Sequence, residues 1–195
     1  MSVGFEFELK YNLPEAALSK VRRAYPGPWQ QFAMETTYFD TPSGELTYRR
    51  YTLRKRLENG APVCTLKTPE KNGERGEWEV EAADITAAIP KLCKLGAPEE
   101  LLQLTRQGVV PVCGARFERQ ACSIHLADAV AELALDQGVL FAGDVQIPLC
   151  ELEVELKSGS RETVAAFARE LARNYGLQPE QKSKFQRARE LKEEK

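Results

Sequence analysis

Residues 5–10 read FEFELK, an alternation that places Glu6, Glu8 and Lys10 on one face of a strand and Phe5, Phe7 and Leu9 on the other. The pattern returns near the far end of the chain in residues 150–157, CELEVELK, where Glu151, Glu153, Glu155 and Lys157 share a face opposite Leu152, Val154 and Leu156. Between these two stretches the same two-residue period recurs. Arg54 and Arg56 oppose Leu53 and Leu57, and Lys67 opposes Cys64 and Leu66. Glu77, Glu79 and Glu81 oppose Trp78 and Val80, while Glu132 and Asp136 oppose Leu133 and Leu135. Arg119 belongs to a further strand, where Arg116 is the other candidate for the charged face.

Two arrangements accommodate these rows. In one, the apolar rows form the centre of a barrel or sandwich and the charges face water. In the other, the charges line an interior and amphipathic helices cover the apolar rows outside. Helices predicted over 14–24, 85–95 and 160–175 each carry an apolar stripe that needs a sheet to bury it, which favours the second arrangement. A charged interior costs several kcal/mol per ion unless its charges are paired, hydrated or ligated, so it must mix signs and hold water or ligands. Carboxylates at i and i+2 on adjacent strands suit hard divalent cations. The Arg54 and Arg56 pair suits bidentate capture of phosphoryl oxygens, with Lys10 and Lys67 as point charges. A chamber with both halves fits a metal-complexed polyphosphate.

The remaining elements predict an α+β fold: an antiparallel barrel with outer helices in a single domain over 1–195. Residues 30–40 and 46–58 read as strands, and ENG at 58–60 turns the second into a hairpin with PVCTLKT. Residues 99–107 read as a helix, 115–126 as a strand, VAELALDQG as a strand ending in a turn, and the tail from Gln181 as helical.

Composition narrows the function. Lys plus Arg number 27 against 29 Asp plus Glu, so no global field draws nucleic acid, and any polyanion must meet a local cluster. No apolar run reaches the roughly 20 residues that span a bilayer, and the N-terminus leads straight into a strand. Five widely spaced cysteines without a CxxC pair fit reduced thiols, and the expected setting is cytoplasmic. His125 is the lone histidine, which removes histidine clusters and leaves no nucleophile elbow around it.

EFELK, TTYFDTPSGEL, TLRKRLENG, CTLKTP, RGEWEVE, ELALDQG, CELEVELKSG and KSKFQRA, in that order, resemble the CYTH or triphosphate tunnel metalloenzyme family nearly end to end. The resemblance implies an eight-stranded antiparallel barrel forming a tunnel, with a triphosphate inside and Mg²⁺ or Mn²⁺ required. By position it implies catalytic roles for Glu6, Glu8 and Lys10, and phosphate contacts from Lys10, Arg54, Arg56, Lys67, Arg119 and Lys184. It implies metal contacts from Glu6, Glu8, Asp136 and the acids Glu151, Glu153 and Glu155, three in register where the family often uses two. Glu79, Glu81 and Glu132 are the further tunnel acids. LDQG followed by CELEVELKSG looks most like the bacterial inorganic triphosphatases, so the expected reaction is hydrolysis of inorganic triphosphate. Thiamine triphosphate hydrolysis, ATP cyclisation by a class IV-type cyclase, and non-catalytic sensing of polyphosphate or nucleotide are the alternatives the same tunnel allows.

Overall fold

The computed structural model describes residues 2–71 and 74–191. In chain order its elements are β1 (Ser2–Glu6), β2 (Glu8–Asn12), α1 (Glu15–Ala24), β3 (Gln30–Asp40), α2 (Glu45–Tyr48), β4 (Thr52–Glu58), β5 (Ala61–Lys71) and β6 (Glu74–Glu81). There follow α3 (Ile85–Lys94), α4 (Glu100–Leu104), β7 (Val110–His125), β8 (Ala129–Ala142), β9 (Val145–Gly159), α5 (Arg161–Tyr175), β10 (Gln178–Pro179) and α6 (Lys184–Glu190). All strands belong to one antiparallel sheet, ordered β1-β6-β5-β4-β3-β7-β8-β9-β2-β10.

The N-terminal stretch, expected as one strand, is two. β1 pairs with β6 and β2 with β9, and Phe7 stands between them, its carbonyl accepting from the Leu156 N–H. The hydrogen-bonded ladder is therefore not a closed ring, but its two flanks are consecutive pieces of chain, and the sheet is barrel-like. Taking β1 and β2 as one interrupted strand and setting aside the two-residue β10 leaves, among the described residues, the eight strands that the family resemblance implies.

Three departures from the expected elements have local causes. Residues 46–48 are not strand: the Asp40 carboxylate accepts from the N–H groups of Thr41, Leu46 and Thr47, gathering the single turn α2 before β4 begins. Residues 105–107 finish α4 as a 3₁₀ turn. The turn expected at Gly138 is absent, because β8 runs through it to Ala142. A Cβ on Gly138 would lie 2.1 Å from the Arg116 carbonyl oxygen, so the glycine there serves a close approach of β7. The ENG turn matches its prediction, with Asn59 and Gly60 both at positive φ (49° and 86°) as a two-residue hairpin of this type requires.

The apolar rows face outward under helices. α1 and α5 cover Tyr11, Leu133, Leu135, Leu152 and Val154 on β2, β8 and β9. α3 and α4 cover Leu53, Cys64, Leu66 and Val80 on β4, β5 and β6. Leu133, Leu66 and Leu152 are wholly buried, each worth roughly 1.5–3 kcal/mol over exposure. Ser160 caps α5 by accepting from Thr163 N–H, and Gly176 closes it in the left-handed conformation. α6 is different in kind. Its Phe185, Ala188 and Leu191 pack onto Tyr38, Cys113, Ala115, Leu140 and Leu149, whose register places them on the same sheet face as the charges. One end of the interior is thus apolar and stoppered by α6, and the other is charged. Among the described residues no helix is long and apolar enough to cross a membrane.

Candidate active site: a charged cavity inside the sheet

The charged rows converge on a cavity of about 320 Å³. Among the described residues seven basic ones line it (Lys10, Arg54, Arg56, Lys67, Arg119, Lys157, Lys184) and seven acidic ones (Glu8, Glu58, Glu77, Glu79, Glu132, Glu153, Glu155). Of the acids and bases predicted from sequence, most are here. Asp136 and Glu151 lie beneath the wall, wholly buried, rather than on it. Glu81 is exposed beyond the cavity. Glu6 ends β1, and its side chain lies outside the described residues. Arg119 takes the inward phase, while Arg116 points outward over the Phe141 ring.

Strand register sorts the acids into two levels. Glu8 pairs with Glu155, and Glu155 with Glu132, giving a row across β2, β9 and β8. One level further in, Asp136 pairs with Glu151 on one side and Arg119 on the other.

The inner level is full. Asp136, Glu151 and Glu153 each bring a carboxylate oxygen within 4.8 Å of the others, a spacing that could hold a metal ion. Here the Lys184 ammonium takes that position, 2.9 Å from Asp136 and 2.6 Å from Glu153 and also bonded to Glu151. Arg119 grips Asp136 through two bonds of 2.7 Å and also reaches Glu153. Arg187 donates to Glu151 at 2.6 Å. Three carboxylates thus meet three cations, the condition under which buried ions are tolerated. Burial alone would push Glu153 up, but Lys184 and then Arg119 hold it well below the usual carboxylate range. Burial, with Glu153 beside it, pushes Glu151 up to about 7 against the pull of Lys184.

The outer level is open. The side chains of Glu8, Glu132 and Glu155 are 23%, 31% and 29% exposed, so water reaches them. Lys157 lies 2.8 Å from Glu155 and 3.6 Å from Glu132, and Lys10 lies 3.8 Å from Glu8. Oxygen-only donors with room for retained water fit Mg²⁺ or Mn²⁺.

Across the cavity the contacts are looser. Arg54 lies 3.7 Å from both Glu77 and Glu79, Lys67 is 3.2 Å from Glu77, and Thr65 donates to Glu79 at 2.9 Å. Burial first, and then Arg54, with Arg119 adding to it, hold the Arg56 guanidinium below its usual range. Among the described residues it pairs with Glu58 at 3.3 Å, and its Nε makes no hydrogen bond there. Cations gathered this way have hydrogen-bonding capacity directed at an anion.

Glu58, Thr36 and Thr52 also line the cavity and Arg187 lies behind its wall, and the sequence pattern predicts none of the four there. Glu58 continues the even-numbered row of Arg54 and Arg56, a signal overshadowed by the turn that follows it. Arg187 stands three residues after Lys184 on one helix, which was the available clue.

A barrel-like antiparallel sheet, helices on its outer faces and an interior of facing acids and bases define the class. The chain belongs to the CYTH domain family, whose model matches residues 4–188. Inorganic triphosphatase from Haemophilus influenzae is 29% identical over 144 residues, covering 73% of this chain and 41% of that protein. The chain therefore spans less than half the length of that curated relative. Among solved structures the fold is shared with an adenylyl cyclase candidate from Hippeastrum that has a dominant triphosphatase activity (TM-score 0.65, 22% identity, 95% of each chain). It is shared as well with an adenylate cyclase candidate from Bacillus halodurans (TM-score 0.64, 16% identity, 96% of this chain and 98% of that one).

Proposed function

We propose that this protein hydrolyses inorganic triphosphate to pyrophosphate and phosphate, with magnesium or manganese required. The observation that carries the reading is the Arg54, Arg56 and Arg119 group lining one cavity: burial, and then Arg54 and Arg119, hold the Arg56 guanidinium below its usual range, with the Glu58 carboxylate 3.3 Å away. Such a cluster is stabilised by a multiply charged anion, and a triphosphate is one that spans it. The family and the Haemophilus influenzae relative support the same substrate class.

In this proposal Arg54, Arg56 and Lys67 hold the phosphoryl oxygens from one wall and Lys10 from the other, fixing the chain of phosphates for in-line displacement. Glu8, Glu132 and Glu155 hold the divalent cation, with Glu6 expected beside them. When bound, that ion supplies charge neutralisation and a more acidic water. Glu8 orients the water toward the terminal phosphorus. Pyrophosphate leaves with the bridging oxygen, and no covalent intermediate is required. Asp136, Glu151 and Glu153 serve chiefly to seat Arg119 and Lys184 at the wall. A cytoplasmic setting belongs to the same proposal, since all five cysteines are free thiols.

The test is phosphate release from inorganic triphosphate, thiamine triphosphate and ATP, each with magnesium and with manganese. Inorganic triphosphate is expected to be turned over fastest. Faster release from either organic substrate would sink the assignment, cyclic AMP from ATP would mark a cyclase, and binding without release a sensor.

A further inference from the structure

Arg187 lies outside the cavity yet touches what holds its wall. It sits one helical turn after Lys184, so both side chains leave the same face of α6. Both reach Glu151: Lys184 bonds to Oε1 and Arg187 Nη1 donates to Oε2 at 2.6 Å. Glu151 is wholly buried, so its two oxygens must be satisfied by protein groups. On its far side Arg187 lies 3.7 Å from Glu180, in the segment that leads into α6. Lys184 in turn lines the cavity beside Phe185. A relay runs from Glu180 through Arg187 and Glu151 to Lys184.

We infer that Arg187 is a positioning residue that fixes Lys184 at the cavity wall through Glu151. The inference extends the triphosphate reading above, because Lys184 adds positive charge where that substrate would lie. The reasoning is one of balance. Without Arg187, three buried carboxylates face two cations, and Glu151 loses the partner of one oxygen. With Glu151 ionised, the cluster then relaxes by drawing Lys184 away from Asp136 and Glu153 or by releasing the start of α6. Either change displaces the ammonium from the cavity. The apolar part of α6, Phe185 and Ala188 against Tyr38, Cys113 and Leu140, is a separate anchor that still holds the helix. Arg187 thus sets where the lysine points more than whether the helix docks.

Two measurements on the full chain test this. The first needs no substrate: acetylation of lysines by an N-hydroxysuccinimide ester, followed by mass spectrometry. Lys182, whose side chain is 55% exposed, is an internal reference two residues from Lys184. In the wild type Lys184 should label about tenfold or more slowly than Lys182, because reaction must await an opening of the cluster. Arg187→Ala should bring the Lys184 rate up about fivefold or more with Lys182 unchanged, and Arg187→Lys, which keeps the charge, should retain most of the protection. The second is titration with tripolyphosphate, where Arg187→Ala should weaken affinity about tenfold and Arg187→Lys should recover much of it. Unchanged labelling of Lys184 in Arg187→Ala overturns the inference, as does a lysine variant no better than alanine. Should Arg187→Ala not fold, the Arg187→Lys labelling decides alone: loss of protection there overturns it. Failure of the wild type to release phosphate would overturn the proposed reaction, while the labelling would still judge Arg187 by itself.

Discussion

The two walls of the cavity carry similar residues and treat them differently. On the β8, β9 and α6 side, Asp136, Glu151 and Glu153 are matched one for one by Arg119, Lys184 and Arg187, with contacts of 2.6–2.9 Å where bonds are longest. On the β4, β5 and β6 side, Arg54, Arg56 and Lys67 meet Glu58, Glu77 and Glu79 at 3.2–3.7 Å, and Arg56 keeps a donor without a hydrogen bond. The first wall has saturated its charges internally. The second pairs its cations at longer range and leaves the Arg56 Nε without a hydrogen bond. A saturated wall contributes to stability and positioning, whereas an unsaturated one offers binding energy to a ligand.

Removing the central cation of the saturated wall should do the most damage. Lys184→Met is expected to cost about 3–5 kcal/mol in urea unfolding, since it leaves three buried carboxylates to two cations. A loss below about 1 kcal/mol, the range of exposed pairs, would mean that the wall is not the structural one.

Next in size is Glu8→Gln at the outer level. Turnover with saturating magnesium should fall by about a hundredfold or more, equivalent to about 2.7 kcal/mol in barrier, while the urea midpoint stays near the wild type. Full retention of triphosphate hydrolysis in this variant would remove the outer row as the cation site.

Arg56→Ala tests the unsaturated wall. Tripolyphosphate affinity should drop by about tenfold to a hundredfold, corresponding to the roughly 1.5–3 kcal/mol of a charge-assisted hydrogen bond, and unfolding should be unchanged or slightly harder. A variant that binds normally but unfolds easily would reverse the roles of the two walls.

The smallest effect is a pH slope. Glu151 is raised to about 7 in the fold, against 4.5 as its ordinary value. Below the ordinary value it is protonated in both states. Between the two values the unfolded chain has lost the proton that the folded chain keeps, so stability falls as pH rises toward about 7 and then levels. Urea midpoints of wild type and Glu151→Gln between about pH 5 and 8 should therefore diverge in slope, with the variant flatter. Parallel curves would show that Arg187 and Lys184 keep Glu151 ionised throughout.

The sorting of side chains between interior and exterior was legible because a strand's period of two survives any bend or twist. Glu8, Lys10, Arg54, Arg56 and Glu153 could be placed on one face without knowing what lay opposite. What was not legible depended on groups distant in sequence. Gly138 reads as a turn locally, and only the β7 backbone explains it as strand. α2 is a single turn held by the Asp40 carboxylate, so no helical period announces it. The break at Phe7 leaves the alternation of FEFELK intact, and thus leaves no trace in the pattern. The division of acids into a filled inner level and a hydrated outer one rests on Lys184 and Arg187 arriving from the far end of the chain.

That break at Phe7 governs the order in which the molecule can assemble. The first twelve residues supply both flanks of the seam, yet the partners of β2 lie at Glu151–Glu155 and those of β1 at Arg75–Glu79. A contact across some 140 positions is among the slowest to form, because loop closure must precede any reward from pairing. During synthesis β1 can pair once β6 has emerged, but β2 waits with its edge unpaired until β9 follows. Mutations that weaken the Phe7–Leu156 junction should reveal themselves first as aggregation of nascent chains and slow refolding, before any loss appears in the finished protein.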